Sequence, residues 1–314
     1  MKTLGVTQKH TPFVVSRRNP KYRAPIIDIS IFHYINEYIA AHENKMWKAP
    51  TYSELKERLL QTPALSVGIL IFAVLFNALL PKDSTALVLY PDSPLKLNLN
   101  ALSFYIFPHV NWIHLLVNLF SLFPLLSAFE KANGTVRTGV TLNLLAVVTA
   151  LMYCIPGLLL YPKAGVAGLL GIVFSLLTYF CQKEHAVTPV ILLFKVAGRD
   201  VSIPTEYFQF VALFLTAVLI PSTSFFGHLA GIGAGYLLAF GYIEVLYPPL
   251  KVILFIEKKL APGIAKLKLL VDFVSEDDAV VLRGNAYSPM FTNDIEAPAS
   301  EPQTYESFER RLGT

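Results

Sequence analysis

The chain is short of charge. Asp, Glu, Lys and Arg make up 15% of its 314 residues, against 54% hydrophobic and 12% aromatic residues, a composition that excludes an ordinary soluble domain. The chain reads as an integral membrane protein. Cysteine is nearly absent: Cys154 and Cys181 both fall inside apolar segments, at opposite ends of helices, so they read as core residues and not as a disulfide. No spacing of His, Cys and carboxylates suits a metal, and no glycine-rich loop suits a phosphate. The net charge of +4 sits mainly in segments that flank the membrane, so nucleic acid is not an expected partner. Acidic residues are essentially missing from the apolar segments: only Glu206, at the very start of one, and Glu244, near the end of another, fall within them. That counts against a transporter, which would need mid-membrane carboxylates or paired half-helices.

What is present is a set of six apolar segments, near residues 64–80, 104–128, 138–160, 165–181, 206–221 and 225–246. Several are interrupted by Gly, Asn, His or Pro, as in helices that pack on one another. An even count puts both termini on one side. Residues 1–63, 129–137, 182–204 and 247–314 hold 10, 2, 3 and 8 Lys and Arg, against 3 (Lys82, Lys96, Lys163) on the opposite face. This bias makes both termini cytosolic.

Residues 1–63 form a cytosolic extension without the apolar core of a cleavable signal peptide. Within it, residues 26–42 read either as an amphipathic helix on the membrane surface or as a docked or soluble helix. The membrane domain is expected over residues 64–247. Residues 248–274 mix Lys251, Lys258, Lys259, Lys266 and Lys268 with apolar residues, the pattern of an interfacial amphipathic segment on an anionic leaflet. Residues 275–314, rich in Glu, Pro, Ser and Thr, are expected to be a disordered cytosolic tail, open to a cytosolic partner.

Three polar clusters interrupt the apolar segments. His228 shares a helical stripe with Gly231 and Gly235, at offsets of three and seven. An ionisable group in hydrocarbon faces the bundle interior and is a functional-site candidate, and the glycines admit a close neighbouring helix, expected near Gly168 and Gly171. His114 and Asn118 lie one helical turn apart. They suit either a polar clasp between helices or a pair of donors to a developing negative oxygen. Gly165, Gly168 and Gly171 are read as small residues opening the short fourth helix.

These clusters, in this order, resemble the rhomboid intramembrane serine proteases, in particular the fungal Golgi type. The likeness covers roughly residues 60–250 and rests on His109…His114-x-x-x-Asn118, Asn133-Gly134-Thr135-Val136-Arg137-Thr138-Gly139-Val140, Ser202-Ile203-Pro204-Thr205 and Pro221-Ser222-Thr223-Ser224-Phe225-Phe226-Gly227-His228. It implies an all-α, six-transmembrane-helix bundle whose fourth helix starts at the bottom of a water-filled cavity. It also implies a Golgi or other endomembrane location, and transmembrane-helix clients or substrates met in the lipid bilayer. By resemblance, position 170 is the nucleophile, His228 the general base, and His114, Asn118 and the backbone amide at 170 the oxyanion hole. Phe174 would stack on the base, with Gly168, Gly171, Gly231 and Gly235 in support, and water and His228 would do the chemistry without a cofactor.

The chain departs from the family at the decisive position, which reads Gly168-Leu169-Leu170-Gly171 where the family has serine in the third place. Leucine has no lone pair to attack with. Ser175 is no substitute, since five residues along a helix is about 7.5 Å deeper and roughly 140° round. Two readings follow: a catalytically inert, client-binding pseudoprotease, or an active Ser-His endopeptidase whose serine is replaced in this sequence by engineering or by reading a leucine codon that certain yeasts translate as serine. A transporter or structural bundle with polar clasps is the third.

Overall fold

The computed structural model describes residues 51–79, 86–196, 199–221 and 223–284. Residues 26–42, expected to form an amphipathic or docked helix, lie outside the described residues. Helix α1 (Tyr52–Leu60) leads into α2 (Ala64–Leu79). A short α3 (Leu99–Phe104) precedes the two long helices, α4 (Trp112–Asn133) and α5 (Thr135–Leu160). These two are long and apolar enough to cross a bilayer, with mean hydropathy of 1.7 and 2.0. Then come α6 (Leu170–His185), strands β1 (Val190–Val196) and β2 (Arg199–Pro204), α7 (Phe208–Leu219) and α8 (Phe225–Ala239). Two helices follow, α9 (Leu250–Leu267) and α10 (Glu276–Gly284).

The bundle is apolar outside and carries its polar groups inside. Ile71, Leu75, Phe120, Ile155, Leu159, Phe214 and Leu219 are exposed, whereas Asn118, Thr149, Ser175, Thr178 and His228 are buried. In hydrocarbon, small and polar residues hold helices together while large apolar ones face lipid. The tightest pair is α6 on α8, with α5 against α8 and α4 against α6 around it.

Helix boundaries differ from the apolar segments for local reasons. The segment 104–128 is not one helix: residues 105–111 leave the helix, since Pro108 cannot continue it, and Asn111 starts α4 afresh by accepting from the His114 amide at 2.8 Å. Gly134 (φ +85) separates α4 from α5, which therefore starts at 135 and not 138. Gly165 and Gly168 do not open the fourth helix: residues 165–169 are non-helical, Gly168 has φ +115, and α6 runs on to His185. Helix α8 stops at Ala239, where Gly241 (φ +80) turns the chain into a 3₁₀ segment over Tyr242–Leu246. The basic loop 182–204 contains an antiparallel hairpin, pairing Val190 with Pro204 and Val196 with Arg199.

The segment expected to be an unstructured tail also begins ordered, as helix α10. Residues 271–274 lead into it as a strap across the end of the bundle remote from Gly168. The Asp272 amide donates to Thr62 O at 2.9 Å, Ala64 N donates to Asp272 O at 2.8 Å and Thr135 N donates to Val274 O at 2.8 Å, while Val271, Phe273 and Val274 are buried. At the same end Glu130, fully buried, accepts from the Leu65 and Ser66 amides and from the Ser66 and Thr135 hydroxyls, all within 2.7–2.8 Å. The carboxylate satisfies two of the orphan donors at the start of α2.

Candidate active site at the start of helix α6

Glycine sets the distance between α6 and α8. A β-carbon on Gly231 would run into the carbonyl of Gly171, and one on Gly235 into the carbonyl of Ser175 and the side chain of Thr178. Gly171 in turn lies against the Gly227 carbonyl. The expected contact of Gly231 and Gly235 with helix four is therefore made at Gly171, Ser175 and Thr178. Gly168 is elsewhere: a β-carbon there would be 3.1 Å from Cε1 of His114.

This backbone contact puts His228 one turn before Gly231, on the face of α8 turned to α6. Its ring is 5% exposed and stacks on Phe174, with centroids 5.0 Å apart and planes at 27°. His228 and Leu170 line one cavity of about 320 Å³, together with Tyr105, His114, Thr149 and Gly171. Leu170 also belongs to the packed core, at 8% exposure. Its side chain thus borders the cavity that holds the imidazole and packs into the core beside it.

The amides of Leu170 and Gly171 open α6, where a helix offers no internal acceptor. Among the described residues neither is engaged by another backbone group. Two donors at a helix start, beside His114 on the cavity wall, are suited to a developing oxyanion. Asn118 is not placed to join them. It is fully buried, does not line the cavity, and donates from Nδ2 to its own helix at the His114 carbonyl, 2.7 Å away. An amide in a low-dielectric interior takes the nearest lone pair, here the second one on the helical carbonyl one turn back. Ser175 is likewise committed: its hydroxyl lies 2.9 Å from both Gly171 O and Gly231 O, deep in the interface between α6 and α8.

Sequence reasoning gave His109 no role of its own, and overlooked Tyr105 and Thr149. His109 Nδ1 lies 2.8 Å from the Phe107 carbonyl, which can only accept, so Nδ1 carries the proton and Nε2 is left to accept from the Leu169 amide at 3.4 Å. Its ring also meets the edge of His114, centroids 5.2 Å apart. Tyr105 O accepts from Gly168 N at 2.9 Å, and Leu89 and Val166 exchange backbone bonds at 2.9 Å, so the stretch before α6 is bonded to chain preceding α4. The signal available for His109 was its position five residues before His114. No group of His, Cys and carboxylates that could hold a metal occurs among the described residues.

A family model described as the Rhomboid domain matches residues 97–245. Three proteins described as "Rhomboid-type serine protease 2" are similar along most of their length. That of Debaryomyces hansenii is 49% identical over 77% of this chain and 86% of the relative, and that of Candida albicans 44% over 79% and 89%. That of Saccharomyces cerevisiae is 36% identical over 75% and 89%. At such identity and coverage, and with a helical bundle that hides its polar side chains and exposes its apolar ones, the chain belongs to the rhomboid family and is an integral membrane protein.

Proposed function

We propose that the chain is a rhomboid-type intramembrane serine endopeptidase, with position 170 as the nucleophile position and His228 as the general base. One observation carries this reading: Leu170 and His228 share a single cavity, and the imidazole is held there by its stack on Phe174. With serine at 170, His228 would take the hydroxyl proton as the oxygen bonds to a peptide carbonyl. The carbonyl oxygen would take up the negative charge, met by the amides at 170 and 171 and by His114. His228 would then return the proton to the leaving amine, and water would release the acyl group by the same steps in reverse. Clients would be transmembrane helices entering from the bilayer, across a domain of six spans formed by α2, α4, α5, α6, α7 and α8. The 23-to-3 bias of Lys and Arg supports cytosolic termini, and the resemblance supports a Golgi or other endomembrane address.

As leucine, position 170 cannot attack, and the chain so written would bind clients without cutting them. The burial of Leu170 favours that inert, pseudoprotease reading. The placing of His228 on Phe174 and of His114 on the same cavity wall favours the active one, as do the yeast relatives described as serine proteases, because certain yeasts translate a leucine codon as serine. Tandem mass spectrometry of the peptide spanning position 170, taken from the source organism, tests the choice. Serine is expected there; leucine would leave the inert, client-binding scaffold as the reading.

A further inference from the structure

Asn77 stands near the end of α2, outside the residues that the family model matches. Its carboxamide donates from Nδ2 to Ala73 O one turn back and to Phe107 O, each at 2.8 Å, and accepts from the His109 amide at 2.8 Å. One side chain thus serves both the carbonyl of residue 107 and the N–H of residue 109, as a neighbouring strand would. A carboxamide suits this task because its donor and acceptor lie side by side. The stretch needs such a partner, since Pro108 between them contributes no donor and buried backbone groups must be paired.

What Asn77 holds is directly linked to the cavity floor. His109, fixed through its amide, turns Nδ1–H to Phe107 O and Nε2 to the Leu169 amide, the last one before position 170. The same ring rests against His114, which lies over Gly168. We infer that Asn77 is a positioning residue of the candidate active site: through His109 it sets the first turn of α6 and the ring of His114. Its catalytic consequence rests on the protease reading above, whereas the hydrogen-bonded link does not.

A simple clasp between α2 and the bundle would loosen the whole molecule when lost, but a positioning residue loosens one end. Amide hydrogen exchange on the full chain in detergent, with Leu170 unaltered, separates the two. Asn77→Leu should accelerate exchange severalfold at residues 166–170 and leave Leu65 and Ser66, which are held by Glu130, unchanged. His109→Ala, which leaves α2 intact, should give the same local acceleration, and the double variant no more than either single one. Parent-like exchange at 166–170 in both variants, or equal acceleration at both ends, overturns the inference. In the Leu170→Ser background, Asn77→Leu should lower kcat by up to about a hundredfold with KM unchanged, since small displacements of reacting groups act on the chemical step. An unchanged kcat beside accelerated exchange overturns the catalytic part. A silent, folded Leu170→Ser protein that keeps the exchange pattern instead overturns the protease reading and supports the link.

Discussion

Gly231 lies against the carbonyl of Gly171 with no room for a β-carbon between them. The obstacle is backbone on a packed helix, so neither partner can swing aside as a flexible side chain would. Gly231→Ala should therefore destabilise the bundle by about 1–3 kcal/mol through overpacking, despite alanine's better helix propensity, and Gly231→Val by more. Thermal unfolding in detergent measures this. Unchanged midpoints would mean that the two helices do not approach so closely.

At the other end, Glu130 concentrates four hydrogen bonds on one buried carboxylate and joins α2, α4 and α5. Glu130→Ala strands the amides of Leu65 and Ser66, at on the order of 1–3 kcal/mol for each buried donor left unpaired. Glu130→Gln, which keeps one acceptor oxygen, should cost less. Urea or thermal titration of the two variants checks the order, and equal losses would show that the cost comes from packing.

The stripe of His228, Gly231 and Gly235 was legible because three- and seven-residue offsets fix a helix face whatever the neighbours are. The start of α4 was hidden inside an apolar run, where hydropathy is blind to Pro108 and to the cap at Asn111. Gly168 looked like a helical small residue, although its φ of +115 makes it part of the extended approach to α6. Asn118 looked like a donor to the cavity, because sequence spacing does not show that its Nδ2 is turned to the carbonyl one turn back. The strap at residues 271–274 was missed for a different reason. Three buried apolar residues and three backbone bonds to distant chain give no periodic signal, and the acidic stretch after them resembles a solvated tail.

Asn133-Gly134-Thr135 has the spacing of an N-glycosylation sequon. It should carry no glycan, because in the proposed orientation this turn is cytosolic, and its geometry adds a second obstacle. Thr135 Oγ1 donates to Glu130 at 2.8 Å and accepts from Val274 N at 3.1 Å, while Asn133 Nδ2 lies 3.0 Å from Phe129 O. An endoglycosidase-sensitive mass shift, absent in Asn133→Gln, would reverse the proposed orientation.

Docking of the strap should tighten as pH falls. Burial pushes the Glu257 carboxyl above the ordinary carboxylate range. The Glu276 amide, which donates to it at 2.9 Å, works against that rise, and the charges of Glu276, Asp277 and Asp278 add to it. A carboxyl that holds its proton more tightly when folded makes folding more favourable as pH drops through its raised value. Above that value, ionisation opposes docking. Glu257→Gln keeps the oxygen that caps α10 and removes the charge, so it should slow amide exchange at residues 271–280 at neutral pH and flatten the pH dependence. A pH dependence as steep as that of the parent would assign the effect to the other acidic residues.

The decisive expectation concerns position 170. The chain with leucine there should neither cleave a transmembrane substrate nor react with a fluorophosphonate, because Leu170 has no hydroxyl for His228 to deprotonate. Leu170→Ser shortens a side chain that already borders the cavity, so the vacated volume opens onto existing space and the loss of stability should fall toward the low end of the about 2–5 kcal/mol typical of large-to-small core changes. The variant should label with the probe and cleave a helix carrying small, helix-destabilising residues near its lumenal end. Adding His228→Ala should abolish both activities, since the hydroxyl loses its base. Adding Phe174→Ala should lower kcat, through an imidazole freed from its stack, while leaving the serine present. Cleavage by the unaltered chain would reveal a nucleophile other than position 170. A folded but unreactive Leu170→Ser protein would mean that the cavity serves to bind helices and not to cut them.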